Sequence, residues 1–318
     1  MRTATALVAL IGALTLGACS RRAETPPEAT TAPAAAPTLD QKDVKTFTIG
    51  DFSAIALRDG GLGFPNDNKT FGVGHTSAEV AALLTGAGLP TDHLDLSIQP
   101  LLVKTADRVL LFDTGAGVNM GPNGGRLSAS IAVAGIDPGS VTDIFISHAH
   151  GDHVGGLVNS TGALAFPNAA VHIASPEWSF LRDMNAETAA GVGIAQHTAL
   201  VTAITPKIAE FAPGAEIIAG VKAVEIKGHT PGHSGYLISS GEHSLLYSGD
   251  TMHHFVVSVQ KPDWTIAFDT DAPTSQASRR ALLARSAESG QRIYAVHFPF
   301  PGLGKVEQKG DGFVWIAE

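Results

Sequence analysis

The sequence contains a single cysteine, Cys19, so no disulfide can form within the chain and no thiolate zinc site can be built. Any metal must be held by imidazoles and carboxylates. Basic residues are outnumbered: 21 Lys and Arg against 30 Asp and Glu leave a formal net charge of -9. Such a chain has no field to hold a phosphate backbone or an anionic membrane surface, which excludes nucleic acid as a partner. Tryptophan and tyrosine are scarce at 3 each, whereas glycine reaches 35. That balance favours tight turns and close-packed layers over a helical bundle.

At 318 residues and 44% hydrophobic, the chain can bury a large core. Residues 1–18 have the form of an export signal, with Arg2 as the basic start and an apolar run at 4–16 too short to span a bilayer. The segment ends Leu16-Gly17-Ala18-Cys19, which resembles the bacterial lipobox. The resemblance implies that Cys19 becomes the lipid-modified first residue of an exported, periplasmic protein, and that the membrane is met only through this anchor. Ser20 after the cysteine points to the outer membrane by likeness to bacterial sorting rules. Residues 19–41 are rich in Pro, Ala and Thr, cannot offset the entropy of ordering and form a tether. The folded domain is expected over 42–318.

Within that domain short β-rich runs alternate with helical patterns, as α/β layering requires. Strands are predicted at 47–57, 96–105, 108–113, 143–147, 170–174, 221–226, 244–248 and 292–296. Thr76 with Glu79 forms a capping box for a helix over 77–84, and Gly86 and Gly88 stop it. Ser175-Pro176 opens another over 177–184, Asp271 or Thr274 caps a third through Leu283, and a weaker one covers 125–134.

The segment Ile144-Phe145-Ile146-Ser147-His148-Ala149-His150-Gly151-Asp152-His153-Val154-Gly155-Gly156 is an apolar strand running into a loop full of ligands. Neutral imidazole and carboxylate suit Zn²⁺ and similar divalent ions, and the glycines let several side chains converge. Four potential ligands within six positions, followed by Gly155-Gly156, are a far stronger signal than a lone histidine and weigh against a mere surface cluster.

This H-x-H-x-D-H pattern resembles the signature of the metallo-β-lactamase superfamily. Other landmarks follow in the expected order: Leu111-Phe112-Asp113-Thr114-Gly115, Gly228-His229-Thr230-Pro231-Gly232-His233, Tyr247-Ser248-Gly249-Asp250 and Val296-His297-Phe298-Pro299. The resemblance implies an αββα sandwich, two β-sheets face to face with helices outside and metals where strands end. It implies that His148, His150 and His233 bind one ion, that Asp152, His153 and His297 bind another, and that Asp250 bridges them. Five imidazoles and two carboxylates exceed what one tetrahedral ion takes. Two ions, zinc first and Mn, Co or Fe also compatible, would activate a water between them as the nucleophile. Asp113 and His229 are expected to orient ligands rather than bind an ion. Asp152 and Asp250 are thus the carboxylates expected in catalysis. His253, at the third position after Asp250, joins them as a candidate, since lactonases of the superfamily carry a carbonyl-polarising tyrosine there.

The tail, Pro299-Phe300-Pro301-Gly302-Leu303-Gly304 and Gly310-Asp311-Gly312-Phe313-Val314-Trp315, with Ile49-Gly50-Asp51-Phe52 near the start, resembles the methyl parathion hydrolase branch and its lactonase relatives. That likeness implies a small-molecule ester, lactone or aryl ester as substrate, with an organophosphate triester as the alternative, and a homodimer as the assembly. A β-lactam hydrolase and a metal-binding lipoprotein without turnover are the further alternatives. Trp178 and Phe180 either line an apolar pocket or belong to the core.

Overall fold

The computed structural model describes residues 41–318; the expected export signal, lipobox and tether up to residue 40 lie outside the described residues. Every described residue belongs to one compact unit. Strands β1 Val44–Ile49, β2 Phe52–Leu57, β3 Leu101–Lys104, β4 Val109–Phe112, β5 Asp143–Phe145, β6 Ala170–Ala174 and β7 Ile208–Phe211 pair in sequence order into one sheet. Pairing is antiparallel from β1 to β4 and parallel from β4 to β7. A second sheet runs β8 Glu216–Ile218, β9 Val221–Glu225, β10 Ser234–Ser240, β11 His243–Tyr247, β12 Ile293–Tyr294, β13 Leu303–Lys309 and β14 Gly312–Ala317. It is antiparallel except where β11 meets β12.

The two-residue period of a strand assigns alternate side chains to opposite faces. Ala54, Ala56, Leu101, Val103, Leu110, Phe112 and Phe145 point inward and meet Val221, Ala223, Tyr236, Ile238, Leu245 and Tyr247 of the second sheet. Their neighbours Ile55, Leu57, Leu102, Leu111 and Ile144 point outward, beneath helices α2 Leu127–Val133, α4 Ser175–Asp183 and others. On the far side Leu246, Ile293 and Val306 pack under Leu282 and Leu283 of α8 Ala272–Ser289. The layers are therefore helix, sheet, sheet, helix. Strands buried on both faces explain why the sequence shows continuous apolar runs there instead of alternation. Between α2 and α8 the remaining helices are α3 Gly151–Val154, α5 Ala186–Gly191, α6 His197–Ile204 and α7 Val257–Gln260, and α1 Ser77–Gly86 precedes them.

Some expected elements split. The run at 47–57 forms two strands, because Gly50 at φ +56° makes a hairpin turn that sits against Ser240, where a Cβ would fall 2.5 Å from a carbonyl oxygen. The run at 96–105 breaks at Gln99-Pro100, proline having no N–H to give a ladder. Its first half, His93–Ile98, pairs instead with Gly60–Pro65 in a separate two-stranded sheet. The capping box at Thr76 and Glu79 is present, Asp271 caps α8 through the Thr274 N–H, and the weaker helix is α2. Ser175 does not cap α4; its hydroxyl donates to the Phe211 carbonyl.

Candidate metal centre

β5 delivers the chain to the sheet edge, and residues 146–150 turn before α3 begins. A Cβ at Gly151 would fall 2.2 Å from the Gly193 carbonyl oxygen, so the loop lies closer to its neighbour than any side chain permits. The second ligand loop, 228–233, connects β9 to β10; Asp250 follows β11 and His297 follows β12. Four strand ends thus supply one site.

Two groups of side chains converge there: His148, His150, His229 and Asp250, and beside them Asp152, His153 and His297. In the first, Nε2 of His229 lies 3.1 Å from Nε2 of His148 and 3.2 Å from Nδ1 of His150. Oδ2 of Asp250 lies 3.5 Å from His229 and 3.6 Å from His148. In the second, Oδ1 of Asp250 reaches His153 at 3.3 Å and His297 at 3.1 Å, and Asp152 lies 3.7 Å and 3.6 Å from the same two rings. Ligands about 2.0–2.1 Å from a tetrahedral zinc lie roughly 3.3 Å apart, so both groups have the spacing that an ion would hold. Nε2 of His153 and Oδ1 of Asp250 are buried without a hydrogen bond, a costly arrangement that a coordinated cation relieves.

The electrostatics agree. Burial and the neighbouring imidazoles push His148 well below the ordinary histidine value, His150 down to about 3 and His229 to about 4, leaving neutral rings with lone pairs. Burial alone would raise Asp250, but the surrounding His153, His297, His148 and His253 hold it well below the carboxylate range. His153 moves the other way: burial is overridden by Asp250, Asp152 and Asp113, which hold it well above the ordinary histidine value, and Asp250 raises His297 likewise.

A second layer of groups fixes the rings. Asp113, at φ +56°, accepts from the Ser147 N–H at 2.7 Å and through Oδ2 from His153 Nδ1 at 2.7 Å, the Ser147 hydroxyl at 2.6 Å and the Tyr247 hydroxyl at 2.7 Å. It has the orienting position expected of it. His297 Nδ1 donates to the Ser97 carbonyl at 2.7 Å. His229 Nδ1 donates to Asp269 at 3.0 Å, and Asp269 is in turn paired at 2.7 Å with the fully buried Arg279. Neither Asp269 nor Arg279 carried a signal in the sequence, since both act across long separations.

The expected division of labour between His229 and His233 is reversed. His233 accepts the Asp250 N–H on Nε2 at 2.9 Å and donates from Nδ1 to the Ile226 carbonyl at 3.1 Å. Both nitrogens are spent, so its ring has no lone pair for an ion, and His229 occupies the place in the first group. His148, His150, Asp152, His153, Asp250 and His297 are brought together as expected. His253 joins them, with Nε2 3.1 Å from Asp250 and its ring parallel to His297. His254 turns away, and its Nδ1 accepts the N–H groups of Val256 and Val257 at the start of α7. His75, His93, His172, His197 and His243 stand outside both groups. Trp178 is buried in the core and Phe180 packs against it, so neither faces the site.

The model of the Metallo-beta-lactamase superfamily matches residues 95–297, more than half of the chain. The chain belongs to the metallo-beta-lactamase superfamily. Its structure is similar to that of AidC, a dizinc quorum-quenching lactonase, with a TM-score of 0.81 and 32% identity over 86% of this chain and 97% of the other. It is similar to the hydrolase AbOPH at TM-score 0.79 and 27% identity, over 87% and 97% of the two chains. A probable metallo-hydrolase of Mycobacterium tuberculosis is 25% identical over 194 residues, 48% of this chain. The chain spans 56% of the length of that curated relative. All three likenesses are to hydrolases, of which AidC is dizinc and the mycobacterial protein a probable metallo-hydrolase.

Proposed function

We propose that this protein is a metal-dependent hydrolase that opens a lactone or cleaves a carboxylic ester. Two divalent ions, zinc first among the candidates, would be held by His148, His150 and His229 on one side and by Asp152, His153 and His297 on the other, with Asp250 between them. The observation that carries the reading is Asp250, whose two oxygens face the two groups at 3.1–3.6 Å. The substrate class is supported by the likeness to AidC, whose structure holds the product N-hexanoyl-L-homoserine.

Bound ions would lower the pKa of a water and polarise the substrate carbonyl. The chain does the rest. The neutral imidazoles supply lone pairs, Asp250 stays charged between the groups, and Asp113 and Asp269 hold His153 and His229 in the required tautomers. His253 Nε2, beside Asp250, is placed to hydrogen-bond the substrate carbonyl or give a proton to the leaving oxygen.

The test is a substrate panel with metal content measured in parallel. Turnover of an acyl homoserine lactone or an aryl ester, lost on chelation and restored by zinc, is the expected result. Turnover of a phosphotriester alone would move the protein to organophosphate hydrolysis, and turnover of a β-lactam alone to β-lactam hydrolysis. Two bound ions with no turnover of any class would leave a metal-binding lipoprotein and defeat the proposal. The leader at 1–18 supports placement in the periplasm on a lipid at Cys19; a Cys19→Ser protein that fractionates as the parent does would contradict it.

A further inference from the structure

Glu177 belongs to neither ligand group. It stands in the first turn of α4 with no exposed surface. Oε1 accepts the N–H of Ala149 at 2.7 Å, and Oε2 accepts the N–H of Gly232 at 2.7 Å and the hydroxyl of Thr230 at 2.9 Å. Ala149 lies between His148 and His150, and Thr230 directly follows His229. One carboxylate therefore holds the backbone of both loops that feed the first ligand group. Packing enforces the join: a Cβ at Gly232 would fall 2.4 Å from the backbone nitrogen of Glu177. The second group has separate anchors, Asp113 for His153 and the Ser97 carbonyl for His297.

Three donors converge on two oxygens, a demand that only an acceptor on both sides can meet. Glutamine would set an amide N–H against a backbone N–H at one of the loops. We propose that Glu177 is the positioning residue of the first metal group: it fixes the separation of His148 and His150 from His229, and its loss weakens that ion selectively. The inference rests on the reading that this group holds an ion.

The experiment measures zinc affinity by competition with a chromophoric chelator on the full chain, with thermal unfolding of the zinc-free forms alongside. In an Asp152→Asn background, which leaves the first group intact, Glu177→Gln should lower zinc affinity about 10- to 100-fold. In a His229→Ala background, which leaves the second group intact, the same change should leave affinity within about threefold, the spread of context effects well under the drop expected in the other arm. Equal weakening in both backgrounds, or none in either, overturns the inference. Should Glu177→Gln fail to fold, Thr230→Val decides in the same two backgrounds: it removes one of the three donors, and a drop of about tenfold confined to the Asp152→Asn arm supports the inference while its absence refutes it. A parent protein that binds no zinc would refute the underlying metal reading instead, an outcome distinct from any of these.

Discussion

The backbone N–H of Asp250 donates to Nε2 of His233 at 2.9 Å, so the ring that looks like a ligand in the sequence serves to hold the shared carboxylate in place. With Nδ1 donating to Ile226, the ring is fully satisfied. His229→Ala should therefore abolish one ion at saturation, whereas His233→Ala should keep both with affinity lower by about 10- to 100-fold. Metal analysis after dialysis against a fixed free-zinc buffer separates the two, and the opposite ranking would restore His233 as the ligand.

Asp250 and Asp152 differ in what they face. Asp250 meets rings of both groups, Asp152 only His153 and His297. Asp250→Asn should weaken both ions and reduce turnover to near background. Asp152→Asn should empty mainly the second group and leave a residual rate. If Asp250→Asn keeps two ions and the parent's turnover, the shared-carboxylate arrangement fails.

Asp113 carries four hydrogen bonds, three of them on Oδ2, in a left-handed backbone conformation that asparagine also tolerates. Asp113→Asn leaves the backbone unstrained but turns an amide N–H towards a donor, at a cost of about 1–3 kcal/mol. Unfolding of the zinc-free protein should show that loss, and zinc affinity of the second group should drop about 10- to 100-fold as the negative charge behind His153 is lost. A variant with unchanged stability and affinity would reduce Asp113 to a bystander.

Much of this was legible because it is local. Residues 144–156 carry a buried strand, a glycine turn and four ligands within one stretch, and each feature depends on near neighbours. The strand ends at Asp250 and His297 were readable for the same reason. The expectation that set His233 above His229 as the ligand is where the sequence misled, because both belong to one turn and the choice rests on a ring already satisfied by Ile226 and Asp250. Glu177, Asp269 and Arg279 were invisible as site residues, since a carboxylate or guanidinium that acts across 28 or 40 positions leaves no spacing pattern. The splits at Gly50 and Pro100 were available in principle from the turn chemistry of those residues, but apolar continuity on either side outweighed them.

His254 supplies a pH dependence of stability that is separable from the metal groups. It is buried, its ring meets Phe71, and its Nδ1 accepts the N–H groups of Val256 and Val257 at 3.2 and 3.3 Å at the start of α7. Accepting on Nδ1 favours the neutral ring, and burial pushes its pKa from the ordinary 6.5 down to about 4. The unfolded chain therefore takes up the proton first as pH falls. Stability from this residue is complete above about pH 6.5, is lost as pH drops towards 4, and changes no further below that. Shifts of this size are worth about 2 kcal/mol between pH 7 and 4.5. Asparagine at 254 can accept the same backbone groups without titrating, as it does at helix N-termini. Urea unfolding of chelator-treated protein at the two pH values should thus show the parent losing about 2 kcal/mol more than His254→Asn, the other buried histidines contributing equally to both. Identical losses in the two proteins would mean that His254 is protonated in the fold or already titrates as an exposed ring, and the Val256 and Val257 N–H groups would then not be held by its lone pair.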